Sequence, residues 1–444
     1  MGKQTYRCIG IMTGNSLDAV DIVLTEFCDT KIRDICGHTK IIPSEIGNSF
    51  RQLKFMLAHN DGDIEKIARS PDFDFQKLHN DYIRLVADTV NEMIEKNRLD
   101  KKTIDIIGFH GQTCGHQPPS IAQSKSPEQI YTLQIGSGQM LADLTGIPVA
   151  FDFRSDDLMN LGEAAPLAPV HNRHIARDLL AKDIFPVAFL NGGNTGNIAI
   201  ISKEQISGKE IVLGWDVGPC NHFIDYLTRQ EKNEPCDFDG QYGKLGKINL
   251  NLLKTLFNKS VCTQNGENFI TRRPPKSSDP AWYKIIPELL SDNIAFVDKI
   301  RTAEYFSAYI FAYNLSLLPA HIQKPEYYLI FGGGWKNPVL LKDFKDILRG
   351  KMPVLAGHED NFNAVRCADS KVEWSDAYGY SGQYMEARIF ADMAKCLLTQ
   401  EPFSFPETTG CLTPTIGGII AYPGGNNMQL WSRAAKGWHL KQKQ

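Results

Sequence analysis

The sequence predicts an α/β protein of two domains, and three observations support this. Short apolar runs of strand length alternate with stretches whose apolar residues recur at helical spacing. Two strand–polar turn–strand segments, one at the start and one near the middle, echo each other and suggest related halves. The 444 residues also exceed what one core comfortably fills.

The elements follow in order. Residues 4–27 read as two strands around the turn "MTGNSLDAVD". Residues 76–98 carry Leu78, Ile83, Leu85, Val86, Val90, Met93 and Ile94 at helical spacing. "TIDIIGFHGQT" (Thr103–Thr113) is a short apolar strand ending in polar groups. Residues 117–130 are rich in Pro, Ser and Gln and predict a surface loop. "QMLADLTGIPVAFDFR" reads as a helix, a break at Gly146–Ile147–Pro148 and a buried strand, and "APVHNRHIARDLLAKD" as another helix. From Phe185 a second block begins. "PVAFLNGGNTGNIAIISK" gives strand, Gly/Asn turn, strand, and "IVLGWDVGPCNHFIDYLTR" gives strand, polar turn, helix. "YYLIFGGGWKNPVLL" is a strand running into three glycines. "SGQYMEARIFADMAKCLL" is helical, and the segment from Gly424 on reads as a partly ordered tail.

Composition narrows the function classes. Hydrophobic residues make up 42% and charged residues 22%, as in ordinary globular proteins. A net charge of −3 gives no reason to expect nucleic-acid or anionic-membrane binding. No apolar run nears the roughly 20 residues that span a bilayer, and the first residues lack a signal peptide's apolar stretch. The ten cysteines form no C-x-x-C pair, so reduced, buried thiols in the cytoplasm are expected.

The polar turns are the candidate sites. A turn rich in Gly and Asn can aim successive backbone N–H groups at an anion such as phosphate, although a plain hairpin turn is the simpler alternative. Within "MTGNSLDAVD", Ser16 adds a hydroxyl, and Asp18 and Asp21 offer the oxygen ligands that Mg²⁺ prefers. No Lys follows the glycines, so this is not a Walker A loop. The glycines of "FGGGWKN" allow a flat ligand close to backbone, or make a flexible turn. "GFHGQT" places His110, Gln112 and Thr113 at a strand end, where ligands of open α/β sheets bind. Asp216 in "GWDVGPCN" has two readings, general base or N-cap of the helix that follows. His171 and His174 stand one helical turn apart, but no third metal ligand has a defined spacing, so an ordinary helix face is expected. Cys114 and His116 lack a group that would orient them for thiolate chemistry. Neither G-x-S-x-G nor G-x-G-x-x-G opens a helix.

Taken in order, "MTGNSLDAVD", "GFHGQT", "LQIGSGQMLADLTGIPVAFDFRSDD", "APLAP", "LNGGNTGN", "GWDVGPCN", "PPKS", "LIFGGGWKN", "GYSGQYMEARIFA" and "ETTG" resemble the motifs of the anhydro-N-acetylmuramic acid kinase family. That family belongs to the hexokinase–actin–chaperone ATPases. The resemblance implies an actin/hexokinase-like fold with an interdomain cleft, residues 1–184 with 381–444 forming one domain and 185–380 the other.

It also implies ATP and Mg²⁺ as cofactors, a small sugar substrate, no nucleic-acid or membrane partner, and a homodimer. Gly14, Asn15, Ser16, Leu17, Asp18, Ala19, Val20 and Asp21 would hold the phosphates, with Asp18 on the metal. Gly193, Gly332, Gly333, Gly334 and Asn337 would line the nucleotide, and Asp216 would be the catalytic base. From their positions, His110, Gln112, Thr113, Asp157 and Glu386 are the candidates to grip the sugar. The reaction implied is hydrolytic phosphorylation of 1,6-anhydro-N-acetylmuramic acid. Some segments depart from the family pattern. Gly-Gly-Gln-Gly-Ala-Pro becomes Leu161–Pro166 with Glu163, and Thr-Gly-Arg-Glu after "PPKS" becomes Ser278–Ala281. These departures keep two alternatives open: a kinase of the same fold for another sugar-like substrate, and an inactive nucleotide-binding regulator.

Overall fold

The structure is a computed structural model that describes residues 5–14, 17–119, 129–263, 265–278 and 280–436. It divides into two compact units, residues 1–178 with 379–444 and residues 179–378.

The first unit is built on a six-stranded sheet. Strands β1 (Thr5–Thr13), β2 (Ala19–Cys28) and β3 (Lys31–Ile41) form an antiparallel meander. Strand β4 (Ile106–Phe109) runs parallel to β1. A separate hairpin, β5 (Gln112–Gln117) and β6 (Tyr131–Ile135), follows it. Strand β7 (Val149–Phe151) lies parallel to β4. The second unit repeats the pattern. Strands β8 (Val187–Gly192), β9 (Thr195–Lys203) and β10 (Glu210–Pro219) make the meander, and β11 (Tyr327–Phe331) and β12 (Lys371–Trp374) add in parallel. Strand β13 (Ile419–Ala421) closes the outer edge of the first sheet.

The resulting orders are β3-β2-β1-β4-β7 and β10-β9-β8-β11-β12, the same topology twice. This duplicated sheet with crossover helices is the arrangement of actin/hexokinase-like ATPases.

Local sequence explains the elements. The helix Phe75–Lys96 begins where Asp74 accepts from the Lys77 amide at 2.9 Å, and it buries Leu78, Tyr82, Val86, Val90 and Met93 on one face. The helix Gly138–Thr145 is capped by Ser137 and stops at Gly146, whose φ of 73° ends it in the left-handed region. The helix Met385–Thr399 lies on β1 and β4 with almost no gap. A Cβ on Gly10 would come 1.8 Å from the Ala387 carbonyl oxygen, and one on Gly108 would come 1.9 Å from that of Phe390.

Two expectations are corrected here. The opening hairpin has a third strand, β3, whose mixed burial hides its alternation. The terminal segment is also tied down as far as it is described. Arg433 pairs with Asp152 and Asp156, each at 2.6 Å, and Trp431 packs on Phe75. The centre of the 117–130 loop and the last eight residues lie outside the described residues. Among the described residues, no helix is long and apolar enough to cross a membrane.

Candidate active site

In open α/β sheets, ligands collect at the carboxyl ends of parallel strands. In the first unit those ends belong to β1, β4 and β7. Strand β1 delivers Gly14, and the turn closes where the Leu17 amide donates to the Gly14 carbonyl at 3.2 Å. Leu17 has a φ of 61° and its side chain is buried, which pins the turn to the core. Asn15 and Ser16 lie outside the described residues. Asp18 is exposed, and its carbonyl accepts from Ile42 at 2.9 Å. Ala19, Val20 and Asp21 open β2. Val20 is buried, and Asp21 accepts from Thr39 at 2.6 Å and Gln383 at 3.0 Å.

The end of β4 brings His110, Gln112 and Thr113 beside that turn. Gln112 donates to the Gly14 carbonyl at 3.5 Å, and Gln134 donates to Thr113 at 3.5 Å. Arg154 Nε donates to His110 Nε2 at 2.9 Å, which places the imidazole proton on Nδ1. The ring also stacks on Phe390. Burial, reinforced by the Arg154 charge, holds His110 well below the usual histidine range, so it is neutral. Among the described residues, neither His110 Nδ1 nor Gln112 Oε1 has a hydrogen-bond partner, although both are buried. Unsatisfied buried groups are costly, and these two lie just past the end of β4.

Asp157 is different. It is fully buried, with one oxygen accepting from the Ala164 amide at 2.7 Å and the other from Thr409 at 2.6 Å. Its carboxylate shapes the 157–164 loop. Glu386 is exposed in the first turn of the Met385–Thr399 helix.

In the second unit, the ends of β8 and β11 meet the Pro219 end of β10. Asn221 donates its amide to Gly193 and Cys220 donates to Asn194, at 3.1 and 3.0 Å. The Gly332–Gly334 bend packs directly on this turn. Gly332 has a φ of 92°, and a Cβ there would come 2.5 Å from Asn191 Oδ1. One on Gly334 would come 2.5 Å from Asn221 Oδ1. Gly333 has open space where a Cβ would stand. Asn337 caps the helix Pro338–Leu348 through its oxygen and donates to Glu304 at 2.6 Å, so its side chain serves the fold.

Asp216 sits on β10 beside a bulge between Asp216 and Gly218. It is not an N-cap, because Asn221 stands at the start of the helix His222–Lys232. Asp216 Oδ2 accepts from the Ser278 amide at 2.8 Å and from the hydroxyls of Ser277 and Ser278, both at 3.2 Å. Ser278 shares a 2.8 Å hydrogen bond with Tyr283, which shares one of 2.9 Å with Thr195. Lys276 is buried beneath. Burial pulls its ammonium down to about 7, while the Asp216 charge opposes the shift. The sequence reading missed Arg154, Tyr283 and Thr195. Arg154 and Thr195 stand in quoted motifs, whereas nothing in the spacing marks Tyr283.

The model of the family described as anhydro-N-acetylmuramic acid kinase matches residues 6–423. The chain belongs to that family. Curated relatives with that name agree along nearly their whole length. Those from Gluconobacter oxydans and Nitrobacter winogradskyi are each 30% identical, covering 92% and 94% of this chain and 98% and 99% of the relative. One from Methylorubrum populi is 29% identical, over 94% and 99%. Among solved structures, a ROK family glucokinase from Streptomyces griseus is similar at a TM-score of 0.36, with 13% identity over 88% of this chain and 99% of that one. Members of the anhydro-N-acetylmuramic acid kinase family are ATP-dependent sugar phosphotransferases, and the chain is an enzyme of that class.

Proposed function

We propose that this enzyme uses ATP and water to convert 1,6-anhydro-N-acetylmuramic acid to N-acetylmuramic acid 6-phosphate, a step of cell-wall recycling in the cytoplasm. One observation carries the reading. In a chain matched to the family over residues 6–423, Asp216 stands at a β-bulge with three donors gathered on one carboxylate oxygen. Those donors hold the carboxylate in one orientation, which is what a general base needs.

In this reading Asp216 takes a proton from water as that water attacks the anomeric carbon. The bond from that carbon to O6 breaks, and O6 accepts the γ-phosphoryl of ATP. Phosphoryl transfer needs alignment and charge neutralisation more than covalent help. The turn from Gly14 to Asp21 supplies backbone N–H groups for the phosphates. Exposed Asp18 suits Mg²⁺, a hard cation that takes oxygen ligands and would neutralise phosphate charge when bound. Gly193 and Gly332–Gly334 give the nucleotide a surface without side chains. His110 Nδ1 and Gln112 Oε1 supply a donor and an acceptor for the sugar, and Thr113 and Glu386 help to grip it. The enzyme acts as a homodimer, which sedimentation velocity tests.

The replaced segments favour a second reading, a kinase for a related sugar. Glu163 and the loss of the family's Arg after "PPKS" make the chain less suited to a substrate with a lactyl carboxylate. ADP release separates the two. Turnover that depends on 1,6-anhydro-N-acetylmuramic acid supports the first reading. Turnover only with uncharged sugars supports the second, and none with any sugar overturns both.

A further inference from the structure

The helix Ala168–Leu180 presents His171 and His174 on one face, and the helix Met385–Thr399 presents Asp392 and Cys396 on the face opposite. Spacings of i,i+3 and i,i+4 put each pair on one side of its helix. All four residues belong to the first unit. The side chains of His171 and Asp392 are fully buried, and that of His174 is 17% exposed.

Asp392 Oδ2 accepts from His171 Nδ1 at 2.7 Å. His174 Nδ1 straddles the carboxylate, 2.8 Å from Oδ2 and 2.9 Å from Oδ1, and Oδ1 lies 3.9 Å from Cys396 Sγ. The donor atoms of His174, Asp392 and Cys396 all lie within 4.8 Å of one another. The neighbouring cations are engaged elsewhere, Arg388 with Asp34 and Lys395 with Glu401.

We infer that His174, Asp392 and Cys396 form a binding site for a divalent zinc-like cation that ties these two helices together. One nitrogen, one oxygen and one sulfur make a donor set suited to Zn²⁺. Bonds of about 2.0–2.3 Å place tetrahedral ligands roughly 3.3–3.8 Å apart. The Cys396–Asp392 separation is already close to that, and the His174–Asp392 pair needs to open by only about half an ångström. Cys396 would bind as thiolate and release its proton. His174 would bind through Nδ1 as neutral imidazole, its N–H moved to Nε2 on the partly exposed edge. Two anionic ligands then balance the ion's charge, which suits a buried place. His171 keeps Oδ2 and orients the carboxylate, as a hydrogen-bonded neighbour of a metal ligand does. Water completes the coordination from the His174 side.

The test uses the full chain without an affinity tag, loaded with Zn²⁺ and desalted, its metal counted by mass spectrometry. About one zinc per chain is expected, with a rise in the melting temperature. Cobalt(II) in its place should give a near-ultraviolet thiolate charge-transfer band. Cys396→Ser should abolish the band, and Cys396→Ser with His174→Gln should weaken zinc binding at least about 100-fold. Cys396→Ser keeps a hydroxyl where the thiol was, so it carries the test if the double variant fails to fold. Sub-stoichiometric zinc with no cobalt band in folded wild type overturns the inference and leaves a hydrogen-bonded core cluster. Zinc retained in full by the variants also overturns it.

Discussion

Ser278 gives its backbone amide to Asp216 Oδ2 at 2.8 Å, and its hydroxyl reaches the same oxygen at 3.2 Å. The carboxylate is thus held by a segment more than sixty residues away, and the bond depends on main chain as well as side chain. Asp216→Asn should lower the turnover number by roughly 10²–10⁴-fold, because the amide cannot accept the proton. ATP affinity by calorimetry should not change. Ser278→Ala keeps the amide bond and loses one charge-assisted hydroxyl contact, so a loss of roughly tenfold is expected. Full turnover in Asp216→Asn would remove the base assignment.

The backbone contact between β1 and the Met385–Thr399 helix supports a stability prediction. A methyl on Gly10 would overlap the Ala387 carbonyl, and one on Gly108 would overlap that of Phe390. Both obstacles are backbone, which cannot rotate aside. Gly10→Ala and Gly108→Ala should each cost about 1–3 kcal/mol or more. Thermal melts read this directly. Gly146→Ala is the comparison, since a Cβ there meets nothing and any loss comes from its φ of 73° alone.

Much of this was legible in the sequence, because local chemistry and tertiary structure agree there. The break read at Gly146–Ile147–Pro148 ends the Gly138–Thr145 helix, and the apolar spacing from Leu78 to Ile94 becomes the buried face of the Phe75–Lys96 helix. The small-residue turns at Gly14, Gly193 and Gly332 stand at strand ends because only there does a strand need to give way to a polar bend. A carboxylate in a polar loop has the same local signature whether it faces solvent or organises the loop from inside, as Asp157 does. Its partner Thr409 is 252 residues away. Asp392 likewise looks like one more helical acid, until folding sets it against His171 and His174, 221 and 218 residues distant. Tyr283 and Thr195 were missed for the same reason. Pairings of that kind carry no periodicity.

The Gly332–Gly334 bend separates a role in folding from a role in binding. A Cβ on Gly334 would meet Asn221, Cys220 and Gly192 within 2.9 Å, so Gly334→Ala should destabilise the second unit as well as impair activity. Gly333 has nothing within 4 Å of that position. Gly333→Ala should therefore melt like wild type. If the nucleotide passes over this backbone, its KM for ATP should still rise, by roughly tenfold for about 1.4 kcal/mol of lost contact. An unchanged KM would place the nucleotide elsewhere.

Glu304 supplies the pH prediction. It lies buried in the Phe296–Leu315 helix, takes a hydrogen bond from Asn337 at 2.6 Å, and leaves no room for a side chain at residue 243. Burial pushes its carboxyl up to about 8. The Asp237 carboxylate adds to the shift and Asn337 opposes it. The folded state therefore holds a proton that the unfolded chain, with an ordinary glutamate, releases near 4.5. A raised folded value contributes stability fully below the unfolded one and loses it as pH climbs through the folded one. Between about 4.5 and 8, this group should cost the second unit up to about 1.4 kcal/mol per pH unit. Glu304→Gln keeps an oxygen for Asn337 and cannot ionise. Denaturation midpoints followed by tryptophan fluorescence should agree between the two proteins at the acidic end. They should then diverge in favour of Glu304→Gln as pH approaches about 8. Parallel curves across that range would mean that Glu304 titrates as an ordinary carboxylate, with no proton held against Asp237.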